Sequence, residues 1–210
     1  MTINFGDAHL TRLLYLLANF GWREMDSEDM GALADRADCE FTYGASKGVF
    51  LHDDWDFVIK IPLYENDDTR DYCKMEFAAY NSILRDYPLC KDLFMEICYL
   101  GEYGEIPVYA QTKIQTIFCD YLWTCNQSQY DEVYDTRKSN FDFDIVCDKL
   151  SGSRLSNLFA LLIFKTFGLA VLETFARWVN DTDQTDLHSA NVGFYNNLPC
   201  VFDFAGWLGD

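Results

Sequence analysis

The residues best suited to chemistry lie in two short stretches near the end of the chain. The first, QTDLHSANVGF, places Asp186 and Asn191 five residues apart on a predicted loop. The second, CVFDFAGW, places Asp203 after a short apolar strand, twelve residues beyond Asn191. An aspartate beside a hydroxyl group can accept its proton, and amide and carboxylate oxygens are ligands suited to a hard cation such as Mg²⁺. Asp186 and Asn191 are also common turn formers, so a purely structural role is the alternative.

Two charged residues earlier in the chain sit in apolar surroundings. FVIKIP carries Lys60 inside an apolar strand, and the helical stretch CKMEFAAY carries Glu76 sixteen residues later. A lysine with such neighbours points either to solvent or into a cleft that holds a charged partner. Glu76 fits either a solvated helix face or a buried position in which it meets Lys60.

A glycine-containing turn precedes Lys60. The stretch YGASKGVF carries Gly44, Ser46 and Gly48 between two predicted strands. Small residues let backbone N–H groups approach an anion without a Cβ clash. The plain alternative is an ordinary hairpin turn.

Helices and strands that position these residues follow from the hydrophobic pattern. Leucines at helical spacing predict a first helix from about Ala8 to Phe20, and SEDMGALADRAD predicts a second helical or loop segment. CEFTYGASKGVFLHDDWDFVIKIPLY then predicts a hairpin and a third strand. The helix that carries Glu76 is expected to stop at Pro88.

The remaining pattern predicts two more strands in LFMEICYLGEYGEIPVYAQTKI, joined by a turn around Gly101 to Gly104. A polar, aromatic-rich insertion covers 127–144, and we expect it to be a loop that contacts either a partner or its own domain. A long helix from roughly Arg154 to Asn180 and a terminal hairpin complete the chain. The order predicts an α+β fold in which an antiparallel sheet leads and helices follow.

Composition narrows the classes of partner. The chain has 210 residues, 34 acidic and 16 basic, and a formal charge of −18. Such a charge disfavours direct binding to nucleic acid or to an anionic membrane. Two classes of partner are compatible with this charge: a basic protein surface, and a polyanion that arrives with its own metal ions. The eight cysteines lack CxxC spacing and mostly lie in apolar runs, which predicts reduced thiols in a cytoplasmic protein.

Taken in order, these motifs resemble the protein-kinase-like fold, including its aminoglycoside-phosphotransferase branch. GASKGVF resembles the glycine-rich loop, FVIKIP the lysine strand, DLHSAN the catalytic loop in its DLHxxN form, and VFDF the metal-binding DFG segment. The resemblance extends from about Thr42 to Trp207, and short kinase-like proteins of bacteria and their phages are the expected relatives. The hydrophobic pattern predicts a helical segment over 1–40. The resemblance implies an antiparallel N-lobe over 41–116 and, over 117–210, a minimal, truncated C-lobe that contains the long helix.

The resemblance implies a role for each candidate. Lys60 would hold the ATP phosphates and pair with Glu76, while the N–H groups of Gly44, Ser46 and Gly48 would cover those phosphates. Asp186 would orient or deprotonate the acceptor hydroxyl, and Asn191 and Asp203 would bind Mg²⁺.

Departures from the family pattern keep a second function open. Asp203 is followed by Phe-Ala-Gly, and the sequence given continues for seven residues after it, so we expect no activation segment of the kind that holds a peptide substrate. The first hypothesis is therefore an ATP- and Mg²⁺-dependent phosphotransferase acting on an unidentified hydroxyl acceptor. The alternative is a catalytically silent pseudokinase that serves as an acidic protein-binding module or inhibitor, in its sharpest form a phage-encoded nucleic-acid mimic. A hydrolytic metal site made of Asp186, His188 and Asp203 is a weaker third hypothesis, because it gives Lys60 and Glu76 no role.

Overall fold

The computed structural model describes residues 1–20, 27–44, 46–63, 70–116, 157–182, 187 and 191–204. It divides into two units, one made of residues 1–78 and 96–113 and the other of residues 79–95 and 114–210. The predicted insertion at 127–144 lies outside the described residues.

The first unit is built on a five-stranded antiparallel sheet. Its strands are β1 (Glu40–Tyr43), β2 (Lys47–Leu51), β3 (Phe57–Pro62), β4 (Ile97–Tyr103) and β5 (Ile106–Thr112), arranged in the order β1-β2-β3-β5-β4. Helices α1 (Ala8–Ala18) and α2 (Ser27–Ala37) precede the sheet. Helix α3 (Tyr72–Asp86) lies between β3 and β4 in the chain. The predicted strands and helices are therefore present in the predicted order.

Alternation along β3 assigns its residues to two faces of the sheet. Phe57, Ile59 and Ile61 belong to the hydrophobic core formed with the buried leucines of α1 and with α2. Val58 and Lys60 point to the opposite face because successive strand side chains alternate. The core of this unit also includes residues of α1 and α2, and the predicted division of the chain at residues 40 and 116 stays a prediction.

The β4–β5 turn lies against the end of α1. Gly104 has φ 58° and Glu105 has φ 70°, the left-handed pair that a tight two-residue hairpin requires. A Cβ on Gly104 would lie 2.7 Å from the carbonyl oxygen of Ala18. Glycine is needed here both for its φ angle and for this close approach.

The second unit combines helices with a small antiparallel sheet. It contains a 3-10 helix (Pro88–Leu93), α4 (Asn157–Phe167), α5 (Leu169–Asp181) and an antiparallel sheet of β6 (Gln115–Thr116), β7 (Val192–Tyr195) and β8 (Leu198–Val201). Its core is rich in aromatic rings, and the Phe94 ring makes edge contacts with Trp178 and Phe204 at centroid distances of 4.7 and 5.1 Å.

The single long helix predicted over 154–180 is wrong. Two helices occupy this part of the chain, separated by Gly168 with φ 84°. Only glycine adopts this backbone conformation without a steric penalty, so the helix ends there and a new one begins. Among the described helices, none combines the length and apolar character needed to cross a membrane. The five described cysteines are free thiols.

Candidate functional site

Strand β3 and helix α3 bring Lys60 and Glu76 together. Glu76 lies in a buried stripe of α3, three residues after Cys73 and seven before Ile83, which is the spacing of one helix face. Lys60 is only 4% exposed and Glu76 is fully buried. The Lys60 ammonium donates hydrogen bonds to both carboxylate oxygens, at 3.1 Å to Oε1 and 2.9 Å to Oε2. The predicted contact between the two residues is therefore present.

Two further residues bind the same carboxylate. The Lys47 ammonium donates to Oε2 of Glu76 at 3.1 Å, and the Gln111 amide donates to Oε1 at 2.9 Å. We call Lys47, Lys60, Glu76 and Gln111 the lysine–glutamate cluster. Its members lie in the buried part of the first unit, where charges are costly unless they are paired and hydrogen-bonded.

The balance of forces on Glu76 favours its charged form. Burial by itself raises the pKa of the carboxyl group, but the positive charges of Lys47 and Lys60 and the hydrogen bonds from Lys60 and Gln111 outweigh it. The result is a pKa lowered from 4.5 to about 2. Glu76 is therefore an anion at every physiological pH, and it holds two cations in fixed positions on one face of the sheet.

Sheet register explains why Lys47 and Gln111 join the cluster. Val49 is the direct partner of Lys60, and Lys47 is two residues before Val49 on the same face of β2. On the other side of β3, Gln111 pairs with Val58, which shares a face with Lys60. The alternation of side chains along a strand could therefore have placed Lys47 and Gln111 on the same face as Lys60. That inference also needs the register between neighbouring strands, which the sequence does not show.

The glycine turn is only partly described, because residue 45 lies outside the described residues. Gly44 N–H donates to the Lys47 carbonyl at 3.0 Å, and the Ser46 carbonyl accepts from Leu63 N–H at 2.9 Å. A Cβ on Gly48 would lie 2.9 Å from the ring of Phe41, so packing within the sheet accounts for this glycine. A Cβ on Gly44 would meet nothing within 4 Å. The predicted phosphate-covering role of Gly44, Ser46 and Gly48 stays a prediction.

In the second unit, the β7–β8 hairpin holds Asn191 and Asp203 at one end. Asn191 precedes β7, and its carbonyl accepts a hydrogen bond from Phe202 N–H at 3.0 Å, which continues the pairing of Val192 with Val201. Asp203 is the next residue after Phe202 and has φ 53°, a left-handed conformation that aspartate tolerates better than most residues. Asn191 as a whole is 5% exposed. An amide and a carboxylate from adjacent backbone positions form a donor set suited to Mg²⁺.

Apolar neighbours anchor these residues in the core. Phe204, which follows Asp203, is 1% exposed and contacts Phe94, while Leu187 is fully buried. Asp186 and His188, on either side of Leu187, lie outside the described residues. The roles predicted for Asp186, Asn191 and Asp203 stay predictions.

Comparison with known proteins gives one structural likeness. No family model matches the sequence, and no curated protein matches it either. Among solved structures, the chain is similar to the ternary complex of streptomycin, ATP and APH(2")-IIa, with 16% identity and a TM-score of 0.38, over 87% of this chain and 71% of that one. A superposition this loose assigns neither an activity nor site residues. The α+β architecture with a leading antiparallel sheet and two units is confirmed by the elements of the chain itself.

Proposed function

We propose that this protein binds ATP with Mg²⁺ and transfers the γ-phosphoryl group to a hydroxyl acceptor. The observation that carries the proposal is the buried ion pair between Lys60 on β3 and Glu76 on α3. A fully buried glutamate that positions a strand lysine, in a five-stranded antiparallel sheet, is the arrangement that the kinase resemblance implies for holding nucleotide phosphates.

Lys60 would contact the α- and β-phosphates, and its ammonium charge suits that task. Glu76 positions that ammonium group and keeps a cationic partner in Lys47 when Lys60 turns towards an anion. The second lysine thereby lowers the cost of moving Lys60, because the buried carboxylate is never left without a positive charge beside it.

On the acceptor side, Asp186 would take the proton of the attacking hydroxyl. The hydroxyl oxygen bonds to the γ-phosphorus, the bond from that phosphorus to the β–γ bridging oxygen breaks, and ADP leaves with the electron pair. Asn191 and Asp203 would be the protein ligands of Mg²⁺, which offsets the negative charge of the phosphates when bound.

Thermal unfolding with and without Mg²⁺-ATP tests the binding step. A ligand that binds only the folded state raises its stability by mass action. We expect the midpoint to rise with Mg²⁺-ATP in the parent protein and to rise far less in Asp203→Asn, which removes the charge while keeping a residue that tolerates φ 53°. Asp92→Asn, which changes an exposed carboxylate in the same unit, is the matched control and should behave as the parent does.

The transfer step needs a separate variant. Asp186→Asn should abolish phosphate release or transfer and leave the Mg²⁺-ATP midpoint shift largely unchanged. Lys60→Met should weaken ATP binding by about tenfold or more, because it removes a hydrogen bond to a charged group.

If millimolar Mg²⁺-ATP leaves the midpoint of the parent protein unchanged, the phosphotransferase proposal fails. The catalytically silent binding module would then be the function to pursue, through a search for basic protein partners.

A further inference from the structure

Two of the three histidines in the chain converge with an aspartate at one corner of the first unit. His9 lies in the first turn of α1, Asp38 directly follows α2, and His52 directly follows β2. One ligand atom from each residue lies within 4.8 Å of the other two. We propose that His9, Asp38 and His52 form a binding site for a divalent metal ion of the Zn²⁺ type.

The distances require only modest side-chain movement to close the site. Zn²⁺ forms bonds of about 2.0–2.1 Å, so tetrahedral ligand atoms lie about 3.4 Å apart. Nδ1 of His9 and Oδ2 of Asp38 are already 3.7 Å apart. The Asp38 side chain is 80% exposed and the His9 side chain 33% exposed, so both can rotate towards the ion.

The imidazole rings of His9 and His52 are stacked. Their centroids are 4.1 Å apart with an interplanar angle of 26°. The lone pair of an imidazole nitrogen lies in the plane of the ring, so at least one ring must turn out of the stack for both nitrogens to point at one ion. The 33% exposure of the His9 side chain leaves room for that rotation.

Acidic residues surround the three proposed ligands. Asp35, Glu40 and Asp53 line a cavity of about 310 Å³ that also contains Asp38 and His52. The Nδ1 atom of His52 accepts a hydrogen bond from Asp54 N–H at 3.2 Å, and the Asp54 carboxylate lies 3.9 Å from the same atom. The negative charge of these carboxylates favours a cation at this corner of the unit.

Ligand chemistry selects the class of metal. Imidazole nitrogen with one carboxylate suits Zn²⁺ and its neighbours in the transition series, while Mg²⁺ and Ca²⁺ prefer oxygen ligands alone. The Cys39 thiol also lines the cavity, but it donates a hydrogen bond to the Ala34 carbonyl. Three protein ligands leave the fourth position of a tetrahedral ion open to water.

The site is distinct from the lysine–glutamate cluster. Glu40 pairs with Leu51 at one end of the β1–β2 ladder, and Tyr43 pairs with Gly48 at the other end, beside the glycine turn. Three residues of strand, about 10 Å, separate the two ends. A metal here would join α1, the end of α2 and the β2–β3 turn, so it would stabilise the first unit without contacting the nucleotide.

Metal titration of the full chain tests the proposal directly. After removal of metals with a chelator, Zn²⁺ in the absence of nucleotide should bind with a stoichiometry of one per chain and raise the Tm by about 5–10 °C at a hundredfold excess over Kd. Asp38→Asn should weaken binding at least about tenfold. This variant retains the fold because asparagine tolerates the φ of 59° at position 38. His9→Asn should weaken binding to a similar degree.

Two further measurements locate the ion. Co²⁺ should quench the fluorescence of Trp55, whose ring centroid is 5.4 Å from that of His52, and the quenching should largely disappear in Trp55→Phe. His188→Gln, which changes the third histidine, should bind Zn²⁺ as the parent protein does. The proposal is overturned if no saturable binding occurs, if Asp38→Asn and His9→Asn bind as tightly as the parent, or if only His188→Gln loses the ion.

Discussion

Replacing Glu76 with glutamine keeps the shape of the side chain but removes the negative charge that Lys47 and Lys60 share. The two ammonium groups would then face a neutral amide in a buried position. Removing one partner of a buried ion pair costs about 3–5 kcal/mol, because the remaining charge loses its compensation. We expect Glu76→Gln to be less stable than the parent at pH 7 by an amount of this order.

The pH dependence of that difference follows from the pKa of Glu76. Its pKa in the folded protein is lowered from 4.5 to about 2. A lowered pKa means that the carboxylate stabilises the folded state above pH 4.5, and that this contribution is lost as the pH falls towards 2. About 2.5 pKa units correspond to about 3 kcal/mol. The parent should therefore lose about 3 kcal/mol over this window through Glu76 alone.

Urea denaturation at a series of pH values between 7 and 2, at constant ionic strength, measures the effect. The gap in unfolding free energy between the parent and Glu76→Gln should be largest above pH 5 and should shrink by about 3 kcal/mol as the pH approaches 2. Glu102→Gln, which changes an exposed carboxylate on β4, is the matched control and should run parallel to the parent.

A second variant keeps the test informative if Glu76→Gln does not fold. Lys47→Met removes one of the two cations that lower the pKa of Glu76, so its acid transition should begin at a higher pH than that of the parent. A gap between the parent and Glu76→Gln that stays constant from pH 5 to pH 2 would refute the conclusion that Glu76 is held as a buried anion by the two lysines.

Three further predictions concern the fold. Gly104→Ala should destabilise the first unit by about 2–4 kcal/mol in urea denaturation, because its Cβ would lie 2.7 Å from the Ala18 carbonyl oxygen at a left-handed backbone position; an unchanged midpoint would contradict the described turn. Asp7→Ala should cost about 1–2 kcal/mol, since Asp7 accepts hydrogen bonds from the third residue of α1 and from the Trp55 indole, and Asp7→Asn should recover much of that loss. Trp178→Phe should cost less than about 2 kcal/mol by the same measurement, because the buried indole N–H has no hydrogen-bond partner among the described residues and its removal relieves a desolvation penalty that offsets the lost packing.

The sheet and its helices were predictable because each strand and helix carries its own periodic signal. β3 alternates between core and cluster residues, and α3 ends at Asp86, two residues before Pro88. The hydrophobic pattern does not show the break between α4 and α5 at Gly168, because apolar residues continue on both sides of this glycine. A glycine inside a helix costs only about 1 kcal/mol, so hydrophobic pattern alone does not show whether the helix passes through or ends.

Lys60 and Glu76 were identified because a charge inside an apolar run is conspicuous in the sequence. Lys47 is not conspicuous in the sequence, because it follows serine and precedes glycine, in a stretch that predicts a turn, where an exposed lysine is ordinary. Its place in the cluster depends on the register that sets Val49 opposite Lys60, and a shift of one residue would turn Lys47 to the other face of the sheet.

The site formed by His9, Asp38 and His52 could not be predicted from the sequence at all. His9, Asp38 and His52 are spread over 44 residues and belong to three different elements, so no ligand spacing links them in the sequence. Known zinc motifs are recognisable because two ligands share one turn or one helix face. Here each ligand lies at an end of an element: the first turn of α1, the end of α2 and the end of β2. Only the packing of α1 and α2 against the sheet brings those ends together, and that packing is a property of the leucine and isoleucine core rather than of the ligands.

If Zn²⁺ binds there, variants that loosen this core without touching a ligand should weaken metal binding as well as stability. Leu13→Ala, in the fully buried face of α1, should therefore lower both, whereas a variant in the core of the second unit, such as Ile163→Ala, should leave Zn²⁺ affinity unchanged.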